Sequence, residues 1–209
     1  LMQIEEIAFQ WVNEFTEEIV DCGVKIVGCT TMFEQTNASI AILRSLKKKN
    51  QKLITCLGGA NCEGEMAEGI KETCNEIDHI FSGESEYTFL KFLSDSNRET
   101  GSTIIHDGKP NLNMDEIATP YFKDYIEQLK LWLPDSELNK GKFLVPYESS
   151  RGCWWGEKSH CTFCGLNGNG MAFRSKSPDR VLKELKEITQ ETGMAPIAMT
   201  DNIMPMHYF

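Results

Sequence analysis

The sequence has no apolar run long enough to cross a membrane, no secretory signal and no excess of positive charge. It contains 31 acidic and 21 basic residues, which give a formal net charge of −10. Surfaces that bind nucleic acid or anionic membranes need clustered positive charge, so neither partner is expected. The hydrophobic share of 41% over 209 residues is enough for a real core. We therefore predict a globular protein of the cytoplasm.

The eight cysteines lack the repeating spacing of a disulfide framework, which favours a reducing compartment. Three of them, Cys153, Cys161 and Cys164, fall in one stretch with the spacing C-x7-C-x2-C. A structural zinc site or an ordinary iron–sulfur cluster takes four protein ligands, so three sulfurs leave one metal position open. A zinc site completed by His160 is the alternative, although neighbouring residues rarely reach one ion without strain. An open metal position favours a reactive metal site over a structural one.

The cysteines are predicted to lie on a loop between a strand and a helix. Residues 142–147 read as a short buried strand, and Ser177 and Pro178 as the N-cap and first residue of a helix that ends near Thr192. In α/β folds such loops lie at the carboxyl ends of the strands, where reactive sites are placed. The glycine-rich residues 165–170 would let backbone amides approach a cluster or a ligand closely.

The first half of the chain alternates between helical and strand patterns, which predicts a parallel sheet. Each strand is followed by small or polar residues, and we expect these to line one ligand-binding edge. The predicted helices cover residues 1–20, 37–49 and 63–73, the strands cover 24–29, 52–57 and 79–81, and the edge residues are Thr30, Thr31, Gly58, Gly59, Ser82 and Gly83.

The pattern weakens in the middle of the chain. A small hairpin with a turn at His106 to Gly108 is predicted there, followed by a short helix between two prolines. We expect three parts: a first domain over residues 1–96, a linker over 97–141 and the start of a second domain over 142–209. Because a β/α barrel needs about 200 residues or more, the chain is expected to be a fragment.

Several stretches resemble one enzyme family, the radical S-adenosylmethionine C-methyltransferases of peptide (RiPP) maturation. The runs are ESSRGCWWG, HCTFCGLNG, FRSKSP and TDNIMPMHYF. The family as a whole usually carries C-x3-C-x2-C with an aromatic residue before the last cysteine, a place that Phe163 holds here. The longer first gap is similar to that of this subgroup. The runs VGCTTM, GGAN and FSGESE resemble the cobalamin-binding domain that precedes its barrel.

The resemblance implies a fold and a set of site residues. The fold is α/β, a Rossmann-like cobalamin-binding parallel sheet, incomplete at its start, followed by the beginning of a radical SAM β/α (partial TIM) barrel. Cys153, Cys161 and Cys164 would bind a [4Fe-4S] cluster, with S-adenosylmethionine on the fourth iron. Phe163 would pack near the adenine, Asp201 would accept a hydrogen bond from the amino group, and Arg174 would pair either with the carboxylate or with an acidic side chain at the helix start. Cobalamin would lie against Thr30, Thr31, Gly58, Gly59, Ser82 and Gly83.

The implied activity is methylation of a carbon in a ribosomally made precursor peptide. The cluster, reduced by a flavodoxin or ferredoxin, would cleave S-adenosylmethionine to a 5′-deoxyadenosyl radical, and methylcobalamin would supply the methyl group. Two alternatives stay open: another cobalamin-dependent radical reaction, such as a rearrangement or cyclisation, and a cobalamin- or metal-binding module without activity. The family's Asp-x-His-x-x-Gly motif is absent, so neither His79 nor His106 is assigned as the lower cobalt ligand.

Overall fold

The computed structural model describes residues 2–96, 98, 101–135, 143–165, 171–193 and 195–209. The chain divides into two compact units, Leu1–Pro110 and Asn111–Phe209. Within the described ranges, no helix has both the length and the apolar character that crossing a bilayer requires.

The first unit contains a sheet of four parallel strands in the order β1-β2-β3-β4, which confirms the predicted parallel α/β arrangement. In register, Ile26 pairs with Ile54, Cys56 with His79, and His79 with Ile104. The strands are β1 Ile26–Thr30, β2 Ile54–Gly58, β3 His79–Ser82 and β4 Ile104–Asp107.

Apolar side chains cover both faces of this sheet. Leu43, Leu46, Leu57 and Ile80 belong to the larger core cluster, and all four are fully buried. On the other face, Cys56, Phe81 and Phe92 form a smaller cluster. The helices of this unit are α1 Met2–Asp21, α2 Gln35–Lys49, α3 Glu65–Thr73 and α4 Glu86–Ser94, and a short 3-10 helix covers Ala60–Cys62.

The predicted hairpin around His106 is wrong. Residues Ile104–Asp107 form β4, which pairs in parallel with β3. Two backbone hydrogen bonds fix its ends, from Ile104 N–H to the Asp78 carbonyl at 2.8 Å and from Gly108 N–H to the Ser82 carbonyl at 2.7 Å. The Asp-Gly step that suggested a turn therefore ends a strand of the long-range sheet, and this sheet continues past residue 96.

The second unit contains a strand–helix–strand arrangement. Strands β5 (Val145–Tyr147) and β8 (Ile197–Met199) pair in parallel, and α6 (Pro178–Thr192) lies between them in sequence. Two shorter strands, β6 Ser150–Arg151 and β7 Arg174–Ser175, form an antiparallel pair, and α5 covers Lys123–Trp132. The predicted start of α6 is confirmed, because the Ser177 hydroxyl accepts a hydrogen bond from Arg180 N–H. Val145, Tyr147, Ile188 and Ala195 make the core.

A buried ionic group joins α6 to the strands of this unit. The Glu184 carboxylate is fully buried and accepts hydrogen bonds from Lys176 Nζ at 2.6 Å and from the Tyr147 hydroxyl at 2.7 Å. Arg180 reaches the same carboxylate at 2.8 Å. Burial opposes the charge on Glu184, but the hydrogen bonds from Lys176 and Tyr147 outweigh it and lower the pKa of this carboxyl. Burial and the adjoining carboxylate raise the pKa of Tyr147.

Candidate functional site

The carboxyl ends of three neighbouring strands bring the six predicted edge residues together. Thr30 and Gly58 are partners at the ends of β1 and β2, and Ser82 ends β3. The connection after β2 is fixed to the end of β3, because the Ser82 hydroxyl accepts a hydrogen bond from Gly64 N–H at 3.1 Å. Thr30, Gly59 and Gly83 are exposed, whereas Thr31 and Ser82 are buried. The accessible part of the edge is therefore mainly backbone and the Thr30 side chain.

Gly58 ends β2 and Gly59 follows it, and the fold requires only the second of these two glycines. Gly59 has φ +101°, and a Cβ at this position would lie 2.4 Å from the Thr31 carbonyl oxygen and 2.6 Å from the Thr31 nitrogen. Thr31 is held there by its N–H and its hydroxyl, which donate to the Gly58 carbonyl at 2.7 Å and 2.9 Å. A Cβ on Gly58 would meet Phe81 Cβ at 3.5 Å and the Phe81 carbonyl oxygen at 3.7 Å, both ordinary contact distances. The fold itself thus requires Gly59, whereas Gly58 has room for a side chain.

A further glycine, predicted to lie in a hairpin turn, is part of this edge. A Cβ on Gly108, just after β4, would lie 1.9 Å from the Glu84 carbonyl oxygen. Gly83, with φ +73°, supplies the turn that brings this backbone close. The loops after β3 and β4 therefore touch through their backbones, and the edge extends over four strands instead of three.

The predicted position of the three cysteines is confirmed: they lie between β5 and α6, after the short strand β6. Gly152 has φ +80°, and a Cβ there would lie 2.3 Å from the Ala172 carbonyl oxygen. This close approach lets Cys153 N–H donate to the Met171 carbonyl at 3.1 Å. Gly156 N–H donates to Cys153 Sγ at 3.2 Å, and Cys164 N–H to the Cys161 carbonyl at 3.0 Å. Residues 166–170 of the glycine-rich tail lie outside the described residues.

The three thiols of this loop belong to none of the apolar core clusters, whereas Cys29, Cys56 and Cys62 pack in or against them. All three loop thiols are partly exposed, and no described cysteine forms a disulfide. Burial raises the pKa of the Cys56 thiol to about 12, and it also raises the pKa values of Cys29 and Cys62. Those three are therefore small core thiols and poor metal ligands, because metals bind the thiolate.

The donor set of the loop fits an iron–sulfur cluster in its chemistry. Three thiols on one short segment, each partly open to solvent, match the ligand type and number that leave one iron accessible. In this arrangement no three His, Cys, Asp or Glu side chains among the described residues are grouped to hold a single metal ion. The loop thus carries three candidate ligands, whose sulfurs do not surround one point in this arrangement.

The other predicted cofactor residues have contrasting positions. Phe163 is 92% exposed, so its ring is available to a ligand. Arg174 is buried and donates to the carbonyls of Ala172 and Asn111, at 3.3 Å and 3.1 Å. Asp201, just after β8, accepts three hydrogen bonds from Ser149 and Ser150. The cofactor roles of all three residues stay predictions, and both carboxylate oxygens of Asp201 already have donors within the chain.

Two contacts of the cysteine loop were missed. The Trp154 indole N–H donates to the Met204 carbonyl at 3.1 Å, and the Glu157 carboxylate accepts from Phe173 N–H at 2.9 Å. The sequence offered no signal for the first, because it joins residues fifty positions apart. The second joins residues sixteen positions apart, so a local residue pattern did not reveal it either.

A polar cavity lies on the sheet face that α4 covers. Its volume is about 490 Å³, and it is lined by residues that include His79, His106, Lys91 and Asp95. His79 Nδ1 and His106 Nε2 are 3.0 Å apart, and the His106 ring stacks on Phe81. Burial lowers the pKa of His106. His79 lies at the amino end of β3, so it stands away from the edge described above.

Comparison with known proteins does not assign the chain to a family. No family model matches the chain, and no curated protein matches it. Among solved structures, the chain is similar to the N-terminal domain of a hypothetical protein from Thermotoga maritima, with 21% identity and a TM-score of 0.29. The match covers 40% of this chain and 61% of that one, which is less than two thirds of its length. A likeness this low supports neither a fold assignment nor a function.

Proposed function

We propose that the chain belongs to a cobalamin-dependent radical S-adenosylmethionine C-methyltransferase that acts on a ribosomally made peptide. In this proposal the first unit binds cobalamin, and the second unit is the beginning of a radical SAM barrel. The observation that carries the proposal is the C-x7-C-x2-C loop between a strand and a helix of a parallel βαβ arrangement. The family itself is inferred from the sequence motifs.

The first unit supports the proposal through its strand edge. Exposed backbone at Gly59 and Gly83, together with the Thr30 side chain, leaves part of the ends of adjacent parallel strands accessible. Ligands of open α/β sheets bind at this kind of edge. Gly58 is the more informative glycine, because the fold leaves space for a side chain that the sequence does not use. A ligand that approaches the backbone closely would explain this.

The second unit supports the proposal through its thiols and its exposed aromatic ring. Cys153, Cys161 and Cys164 would hold the cluster, and Phe163 would cover one side of the bound S-adenosylmethionine. When bound, these cofactors supply reductive cleavage of S-adenosylmethionine and, from cobalamin, a methyl group. The chain contributes thiolate ligands, a loop fixed at Gly152 and a flat apolar surface. An external flavodoxin or ferredoxin would deliver the electron.

Anaerobic reconstitution tests the proposal. The purified protein is loaded with iron, sulfide and cobalamin, reduced with dithionite and given S-adenosylmethionine with and without a candidate precursor peptide. Mass spectrometry then measures 5′-deoxyadenosine and the mass of the peptide. Bound iron and sulfide are quantified separately. We expect nucleoside formation in the wild type and its loss in Cys161→Ala and Cys164→Ala. The matched control is Cys22→Ala, which removes an exposed cysteine outside the loop and should leave the yield unchanged.

The outcomes separate the competing functions. Nucleoside formation together with a methylated peptide supports the methyltransferase, whereas nucleoside formation with a rearranged or cyclised product indicates another cobalamin-dependent radical reaction. Cluster-loaded protein that binds cobalamin but forms no nucleoside would contradict the catalytic assignment and favour a binding module. Equal cluster loading in Cys161→Ala and wild type would reject the ligand set.

A further inference from the structure

The segment that follows β8 returns across the start of the cysteine loop. Thr200 N–H donates to the Tyr147 carbonyl at 2.9 Å, and the Ser150 hydroxyl donates to the Ile203 carbonyl at 3.2 Å. Farther along, the Met204 carbonyl accepts from the Trp154 indole at 3.1 Å. Residues 200–204 therefore bind both the end of β5 and the first turn of the loop.

Asp201 makes the strongest contacts of this segment. Its Oδ1 accepts hydrogen bonds from Ser149 N–H at 2.7 Å and Ser150 N–H at 2.8 Å. Its Oδ2 accepts from the Ser149 hydroxyl at 2.5 Å. Ser149 and Ser150 are almost fully buried, so without Asp201 their amide groups would lose a partner away from water.

From this geometry we infer that Asp201 is a positioning residue, whose carboxylate fixes the backbone from which the cysteine loop starts. It acts on the cluster ligands through Ser149 and Ser150, which precede Cys153 by a few residues. This assignment differs from the predicted contact between Asp201 and the amino group of S-adenosylmethionine. It rests on the proposed function only in treating Cys153, Cys161 and Cys164 as metal ligands.

Two substitutions distinguish the positioning role from direct binding of a positively charged ligand. In Asp201→Asn the amide oxygen can still accept from both backbone N–H groups, and the amide nitrogen can donate to the Ser149 hydroxyl, which is able to accept. In Asp201→Ala all three hydrogen bonds are lost. In protein without S-adenosylmethionine, a positioning role therefore predicts that Asp201→Ala changes the cysteine loop and Asp201→Asn largely does not, whereas a role confined to binding the ammonium group predicts that neither variant differs from the wild type.

The first measurement is the rate at which iodoacetamide alkylates each cysteine of the reduced, metal-free protein, followed by peptide mass spectrometry. For Asp201→Ala we expect alkylation of Cys153 to be faster by about tenfold, because loss of these hydrogen bonds favours local opening. Cys161, farther along the loop, should change less than about twofold. Asp201→Asn should stay within about threefold of the wild type. Asp124→Ala, which removes an exposed carboxylate from α5, is the matched control.

The second measurement is an anaerobic Co²⁺ titration followed by thiolate-to-cobalt charge-transfer absorption. Asp201→Ala should weaken Co²⁺ binding by about tenfold at unchanged maximal absorption, because the ligands are present but less well placed. A general folding defect would instead reduce the maximal absorption. If Asp201→Ala does not fold by circular dichroism, Ser149→Ala replaces it, with about a threefold increase in the alkylation rate of Cys153 expected.

The positioning role is overturned if Asp201→Ala stays within twofold of the wild type in both measurements, or if Asp201→Asn matches Asp201→Ala. Failure of the proposed function has a different signature. In that case the wild type binds no Co²⁺, or binds it equally well after Cys161→Ala, while the alkylation rates still decide the role of Asp201.

Discussion

Replacement of Gly59 by alanine is expected to destabilise the first unit strongly, whereas the same change at Gly58 is not. At Gly59 the added Cβ would lie 2.4 Å from the Thr31 carbonyl oxygen, well inside van der Waals contact. Thr31 cannot easily move away, because it is fully buried and donates two hydrogen bonds to the Gly58 carbonyl. The φ of +101° adds a backbone conformation that alanine rarely adopts.

The expected cost follows from these two effects. A side chain with positive φ costs about 1–2 kcal/mol, and forced overpacking costs about 1–3 kcal/mol. Gly59→Ala should therefore lower the free energy of unfolding by about 2–5 kcal/mol, a large part of the total stability of a small domain. At Gly58 the Cβ meets Phe81 Cβ at an ordinary 3.5 Å. Gly58→Ala should change the stability by less than about 1 kcal/mol.

Hydrogen exchange with mass spectrometry is the suitable assay, because peptides that cover β2 and β3 report on the first unit alone. Comparison of Gly59→Ala with Gly58→Ala controls for the loss of a glycine from the unfolded state. Equal protection in the two variants would refute the close approach of Thr31 to Gly59. The same two variants distinguish an effect on folding from an effect on ligand binding. Gly58→Ala should keep the fold but weaken cobalamin binding if cobalamin approaches this backbone.

Three further predictions concern titration, the buried ion pair and a helix cap. The pKa of His106 is lowered in the folded state, so the unfolded state takes up the proton first, and stability that is present above about pH 6.5 falls as the pH decreases. Urea unfolding of His106→Gln should show a weaker pH dependence than the wild type, and an unchanged pH dependence would contradict this. Glu184→Gln should cost about 3–5 kcal/mol in thermal or urea unfolding, because it leaves the Lys176 charge buried beside a neutral amide; the exposed pair residue Glu187 supplies a control with an effect below about 1 kcal/mol. Ser177→Ala removes the cap of α6 and should cost about 1 kcal/mol in urea unfolding, whereas Ser177→Thr should keep it, because a hydroxyl can cap the helix without placing a second carboxylate beside Asp115.

The sequence was sufficient to predict the parallel sheet because its first three strands are apolar runs separated by helices of clear periodicity. It was insufficient for β4, whose two isoleucines are followed by an Asp-Gly step typical of a turn. Only pairing with β3 makes residues 104–107 a strand, and this pairing depends on contacts distant in sequence.

The candidate site likewise has parts that the sequence could predict and parts that it could not. The cysteine loop and the capped start of α6 are encoded within a few consecutive residues, so their positions could be predicted. The partners of Asp201 could not, because its hydrogen bonds to Ser149 and Ser150 require β5 and β8 to be neighbours. The pairing of His79 with His106 likewise depends on the register of β3 and β4, which a residue pattern does not contain.

The strand order of the first unit also determines how this unit can fold. Between every two paired strands the chain first passes through a helix or a long loop, so none of the four strands of this sheet can begin by closing a short hairpin. Each pairing has to pay the entropy of closing a long loop before its contacts form. Folding of this unit should therefore be slow for its size, and the edges of β2 and β3 stay open to wrong partners until the sheet is complete.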